Sequence, residues 1–563
     1  MNMVGPQDTT MYWLSRRTRN DLFLLYCFAE SGLSTAELRT QIESHSAVVP
    51  GLRVRLRSAP HDLAYPVWVP CEFDAEQFIE HRLPQSDWTS LEDALGELLD
   101  TGVDAAVRPW RIHVFRGIVG APLPESARGD AGPTEERAGG ASGGSADRRK
   151  VTVAVVQMSH ALADGKRAAD LARALFSPSA VLLATPTSEL ADSPTLPGRR
   201  ASNPRQQVRG DDGAQAVVGS VENGRPGETG IPVAVRTGGH AGLADDGGSA
   251  QSERIGTRTS AVDRGGELVR RAACSAGDLV RSGVDLVRLG VAVVGIPVGM
   301  ARTMAGGVRA YRAKRELAEL TAAGDLPEAG GGFAPGVLNG PGEVGGHRVR
   351  MIVCPAGELR VSGFSVTVVA LTAVSMALER YLLGRGESAD RLGAQVPMAL
   401  TEPSAAHNNY RSLGIDLFAG EPDPRRRAER IAADLAARRT RAAHPLLAVQ
   451  DRVTAGLPAP ILRRDVDRYP IDTVPDSIAG HTVVSSVHRG PADLTFGSAP
   501  VLFTAGFPAL GAVMHLTHGI HGLGDTVTIS IHADPETVPE LDEYADMVRT
   551  AVTAFAEGTG AAE

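Results

Sequence analysis

The chain is poor in lysine, cysteine and aromatic residues, and each scarcity narrows what it can be. Lys150, Lys166 and Lys314 are the lysines among 57 basic residues, which face 66 acidic ones for a net charge of −9. That balance offers no global positive field for nucleic acid. The four cysteines, Cys27, Cys71, Cys274 and Cys354, lie far apart. They form neither a metal-ligand spacing nor a disulfide framework, so no metal is expected and a reducing, cytoplasmic setting is. The start, MNMVGPQDTTMYWLSRRTRND, lacks the apolar core and small-residue cleavage site of a signal peptide. No uncharged apolar run reads as reaching the ~18 residues that cross a bilayer. What is present is substantial: 43% hydrophobic residues in 563 are enough for large cores, in two domains if part of the chain is disordered.

The most informative stretch is Val151 to Phe176, VTVAVVQMSHALADGKRAADLARALF. Val151 to Val156 reads as a buried strand. Ala168, Leu171, Ala172 and Leu175 recur at helical spacing on one face. Between strand and helix stand His160, Asp164 and Gly165. A histidine exchanges a proton near neutral pH, the aspartate can hold the turn that aims it, and glycine admits backbone conformations closed to other residues. A surface histidine in an ordinary strand-to-helix turn fits the spacing as well. Farther on, His515, His518 and His521 recur every three residues without a carboxylate or cysteine partner. On a strand that spacing puts neighbours on opposite faces, which argues against a metal site.

Three tracts interrupt the pattern. Residues 120–149 turn to Gly, Ala, Ser, Glu and Arg and read as a mobile insertion; 187–266 lack periodicity and read as a disordered linker. Residues 267–330 carry Leu279, Val280, Val284, Val287 and Val291 at helical spacing among arginines. They are expected to form basic amphipathic connecting helices, which either pack on both halves or lie in a membrane interface. Elsewhere Thr35 to Ser44 reads as a helix, Leu52 to Arg57 and Arg391 to Leu400 as strands, and Pro424 to His444 as a basic amphipathic helix.

SHALADG resembles the H-H-x-x-x-D-G motif of the bacterial wax ester synthase/diacylglycerol acyltransferase family, within the chloramphenicol-acetyltransferase-like acyltransferases. Its second histidine maps onto His160 and its first onto Ser159, a departure. The resemblance runs collinearly over roughly 1–118, 150–185 and 335–560. It includes Asp8 ahead of Trp13-Leu14, Pro109-Trp110, the run Leu338 to Pro341, and TVVSSVHRGP. Asp8 and its neighbours would wall the substrate channel or, as the blander alternative, form an N-terminal strand on the core. An Asn-Asp pair of the family is replaced by Thr367-Val368, and Asn409 stands where a Gly-Asn pair is expected.

The resemblance implies an α/β (α+β) fold of two mixed-sheet halves, 1–186 and 331–563, with His160 in a channel between them. It implies transfer of a fatty acyl group from acyl-CoA, a co-substrate and not a bound cofactor, to diacylglycerol or a long-chain alcohol at a peripheral membrane or lipid-droplet surface. His160 would be the general base, Asp164 would fix the loop through a salt bridge to an arginine, and Gly165 would allow the turn. Thr367, Asn409 and Ser486 would be candidates for oxyanion or acceptor binding. The departures leave two alternatives: a divergent acyltransferase with another lipid or polyketide acceptor, and a non-catalytic lipid-binding or droplet protein.

Overall fold

The computed structural model describes residues 2–123, 149–178, 304–340, 344–400, 406–511 and 513–560. Of the insertion expected at 120–149, residues 124–148 lie outside them, as do the whole linker expected at 187–266 and residues 267–303 of the connecting segment. In chain order the elements are β1 (Asn2–Met3), α1 (Pro6–Leu14), β2 (Leu22–Ala29), α2 (Thr35–Val48), β3 (Val54–Arg57), β4 (Val67–Pro70), β5 (Phe78–His81), α3 (Trp88–Leu99), β6 (Trp110–Ile118), β7 (Val151–Met158), α4 (Gly165–Phe176), α5 (304–322), β8 (Arg348–Pro355), α6 (Val366–Gly384), β9 (Gly393–Ala399), β10 (Tyr410–Asp416), α7 (Pro424–Ala442), α8 (Pro445–Ala455), α9 (Ala459–Arg468), β11 (Thr482–His488), β12 (Thr495–Phe496), β13 (Ala499–Phe507), β14 (Leu516–Leu523), β15 (Thr526–Ala533) and α10 (Leu541–Gly560).

Two six-stranded mixed sheets dominate, in the orders β12-β13-β2-β7-β6-β5 and β10-β9-β11-β14-β15-β8. This is the α/β, two-sheet architecture expected. All eight residues of β7 are buried, because both faces of its sheet are covered. Ala154, Val156 and Met158 meet the core that includes α1, α2 and α4. Val151, Val153 and Val155 meet the core shared with α3 and with Val349 and Met351 of β8. A strand covered twice needs a continuous apolar run and not an alternating one.

The halves do not divide at one point in the chain. β13, from the second half, joins the first sheet antiparallel to β2, with Thr504 opposite Tyr26 and Phe507 opposite Phe23. It covers an edge of β2 that would otherwise be open. The boundary expected at 331 is therefore corrected for residues 495–507; sheet membership depends on distant pairing, which local pattern does not carry. The segment read as an N-terminal strand is the helix α1. Gly5 is extended at its N-cap and Pro6 opens its first turn, where the missing proline N–H has no helical partner to lose.

α6 is long and apolar enough by length and composition to span a membrane, although it carries Glu379 and Arg380. It is instead the central helix of the second core, with Val369, Leu371, Val374 and Leu378 buried against β15, α7 and α10. α5 shows the opposite pattern. Its Ala313 and Leu317 are buried, while Met304, Val308 and Tyr311 on the other side are 73%, 54% and 65% exposed.

The halves meet closely where α3 crosses the start of β8. A Cβ on Gly96 would stand 2.2 Å from the His347 carbonyl oxygen. Gly96→Ala gains helix propensity but must push two backbones apart. A net loss of about 1–3 kcal/mol is expected, read as a lower urea midpoint; an unchanged or higher midpoint would contradict this contact.

Candidate functional site

β7 ends at Met158, and the chain turns sharply through residues 159–164 before α4. Ser159 is fully buried. Its hydroxyl accepts from Ala161 N (3.3 Å) and its carbonyl from Leu162 N (2.9 Å). The residue standing for the first motif histidine thus serves the turn. Asp164 caps α4, accepting from Arg167 N at 2.9 Å. It also takes the Asn409 N–H, at 3.3 Å, from the second half. The salt bridge to an arginine expected of Asp164 is not formed among the described residues; helix capping and the Asn409 N–H occupy the carboxylate instead. Gly165 is also corrected. It is the first helical residue, it is not among the glycines with positive φ, and a Cβ there would meet Val487 Cγ2 at an ordinary 3.9 Å. Its position opposite β11, not its conformational freedom, is what the structure shows.

His160 is half-buried on the seam between the halves. Its Nδ1 lies 2.7 Å from Asn408 Oδ1, and Asn408 Nδ2 donates back to the His160 carbonyl at 2.7 Å. Asn408 Nδ2 and N both donate to Asp8 Oδ1, at 2.9 and 2.8 Å, while His407 N donates to Asp8 Oδ2 at 2.8 Å. Asp8 is buried on α1. The Tyr410 ring lies 6.0 Å from that of His160. Burial holds the His160 imidazole below its ordinary basicity, partly offset by the Asn408 bond and the Asp164 and Asp8 charges. The histidine is therefore neutral near pH 7 and able to accept a proton.

Of the three further candidates, Thr367 and Ser486 come together, Thr367 Oγ1 donating to Ser486 Oγ at 3.1 Å. Asn409 does not join them. Its side chain donates to the Leu400 carbonyl at 3.3 Å, and the neighbouring Asn408 reaches the histidine instead. In HNNY two adjacent asparagines differ only in which face of the incoming strand they occupy, and sequence alone does not set that register. Val368 is buried in the second core. His518 is structural, bonded to Thr482 Oγ1 (2.9 Å) and Tyr544 Oη (2.8 Å). Among the described residues no group of His, Cys, Asp or Glu is arranged to hold a metal ion.

No curated protein matches the sequence. Among solved structures, the wax ester synthase/diacylglycerol acyltransferase from Marinobacter aquaeolei VT8 is 15% identical, with a TM-score of 0.53 over 99% of this chain and 100% of that one. The starter condensation domain of rhizomide synthetase, in complex with C8-CoA and Leu-SNAC, is 10% identical with a TM-score of 0.46 over 99% and 94% of the two chains. Trichothecene 15-O-acetyltransferase from Fusarium sporotrichioides is 11% identical with a TM-score of 0.47 over 98% and 94%. Residues 408–555 match the family described as WS/DGAT C-terminal domain. Residues 408–555 thus resemble the WS/DGAT C-terminal domain, on a chain with the two-sheet fold of the Marinobacter wax ester synthase/diacylglycerol acyltransferase.

Proposed function

We propose that this protein is an acyl-CoA-dependent O-acyltransferase that esterifies diacylglycerol or a long-chain alcohol, with His160 as general base. The observation that carries the reading is that the WS/DGAT C-terminal domain begins at the residue that bonds His160. The family domain and the motif histidine therefore share one site.

The chemistry is direct transfer. His160 Nε2 takes the hydroxyl proton as the oxygen attacks the thioester carbonyl. A C–O bond forms, the C–S bond breaks, and the proton returns from Nε2 to the departing CoA sulfur. Thr367 and Ser486 are the proposed polar pair for the acceptor or the oxyanion, while the Asn409 side chain donates to the Leu400 carbonyl. Asp164 fixes the loop by capping α4. No acyl-enzyme is needed. Thr367-Val368, standing where the resemblance expects Asn-Asp, favours as second reading an acceptor other than diacylglycerol. Purified protein with labelled palmitoyl-CoA and a panel of diolein, hexadecanol and other lipid alcohols tests both. Ester formation on one acceptor supports the transferase and names it; tight lipid binding with no turnover on any acceptor replaces it with a lipid-binding protein.

We also propose that the protein works at a lipid surface and that α5 faces it. Met304, Val308 and Tyr311 point outward beside Arg312, Lys314 and Arg315, a pairing suited to acyl chains and anionic headgroups. Replacing the three apolar residues by serine is expected to weaken co-sedimentation with phosphatidylglycerol vesicles at least about tenfold. Undiminished binding would assign docking to another face.

A further inference from the structure

We infer that Asp8 and Asn408 together set the tautomer of His160, so that a carboxylate on the first helix, which never touches the substrate, aims the base. This rests on the transferase reading for its catalytic consequence, but the tautomer itself is a property of the folded chain.

The argument is one of donors and acceptors. Asp8, when ionised, only accepts. It receives the His407 N–H, the Asn408 N–H and one Nδ2–H of Asn408. The other Nδ2–H goes to the His160 carbonyl. Both amide hydrogens of Asn408 are therefore committed to acceptors. Turning the amide over would set Oδ1 against a carboxylate and a carbonyl. The carbonyl Oδ1 must then face His160 Nδ1, and an oxygen can only accept. Nδ1 therefore carries the hydrogen, and the lone pair sits on Nε2. The Asp8 charge polarises the amide, which strengthens its grip on the Nδ1–H when Nε2 takes up a second proton. Histidines in other enzymes are oriented in this way by a partner on the second nitrogen. Here the partner is relayed through an amide, and the relay spans the seam. Asp8 belongs to α1 of the first half and Asn408 enters β10 of the second, so the base is aimed only when the halves are closed. Both are positioning residues.

The test is nitrogen-15 NMR of the full-length protein labelled at histidine, with the His160 signals identified by their loss in His160→Gln. At neutral pH the wild type is expected to show a protonated Nδ1 and an unprotonated Nε2. Asn408→Ala and Asp8→Asn are expected to give a tautomer mixture. Both should lower the apparent pKa on the acid limb of kcat/KM, and Asn408→Ala should lower kcat about 100-fold with little change in KM for acyl-CoA. A wild-type Nε2–H tautomer, or variants with unchanged spectra and pH profile, would overturn the relay. If Asp8→Asn does not fold, the Asn408→Ala spectrum decides. The two readings fail separately. The expected tautomers without turnover on any alcohol leave the relay standing and remove the transferase; turnover with tautomers indifferent to Asn408 does the reverse.

Discussion

His160→Gln is expected to lower kcat/KM for acyl transfer by about 10²–10⁴-fold, the usual contribution of a general base. Glutamine keeps most of the side-chain volume and a polar head for Asn408, so the fold and the binding of acyl-CoA should persist. What it lacks is a nitrogen lone pair able to accept the acceptor's proton near neutral pH. A lipid alcohol loses that proton only at far higher pH, so the step depends on the base. The pH dependence follows in sign. The base works when neutral, and burial holds the imidazole below its ordinary value of 6.5. Activity should therefore rise with pH, with the midpoint of the rise below 6.5, and fall only on the acid side. A variant within tenfold of wild type would remove His160 from the reaction, while a rise in KM alone would make it a binding group.

Acidification should destabilise the protein before its carboxylates are all protonated. Burial pushes His113 down to about 4 and His518 and His532 down to about 3, from an ordinary 6.5. Folded, each binds its proton less readily than in the unfolded chain. The unfolded state thus takes up more protons below pH 6.5, and stability falls as the pH drops toward 4. Each of these histidines costs about 1.4 kcal/mol for every tenfold rise in proton concentration between its unfolded and folded pKa. Two buried acids run the other way. Burial raises Asp21 to about 6, opposed by the Val103 N–H, and Glu92 to about 7, opposed by Arg350. Their protonated forms suit the fold, so they add stability as pH falls through 7 toward 4.5. Three histidines against two acids leave a net loss of about 3 kcal/mol between pH 7.5 and 4.5. The half-buried His160 and His407 and the buried His481 and His521 are lowered too and add to it. Thermal melts at the two pH values should differ by about 3 °C or more, lower in acid. An equal or higher midpoint at pH 4.5 would mean the acids outweigh the histidines.

Much of the local architecture is legible from periodicity. The β7 run, the apolar face of α4, and helices α2 and α7 follow from spacing and from residues such as Ser34 and Asp423, which cap their helices. The departures from expectation share one cause. Length and composition mark α6 as an apolar helix of spanning length, and only the layers packed on it show that it is a core helix. Gly165 reads as a conformational requirement but sits in ordinary helical backbone facing Val487. Asn409 reads as an oxyanion candidate, while its neighbour Asn408, which no pattern singles out, is the residue that reaches the histidine. Asp8 stands out by resemblance, but its three bonds to residues about 400 positions away leave no trace in its neighbours.

By itself the sequence determined the strand-turn-helix that presents His160, the presence of two α/β halves, and the exclusion of disulfides as a stabilising framework, because those depend on side-chain pattern over a few turns of chain. Tertiary structure alone decided that β13 closes the first sheet, that Ser159 and Asp164 serve the turn, and that Asn408 and Asp8 meet the base. These are pairings across the seam. A hydrogen bond between distant residues is fixed by how two packed layers align, and no stretch of chain encodes that alignment on its own.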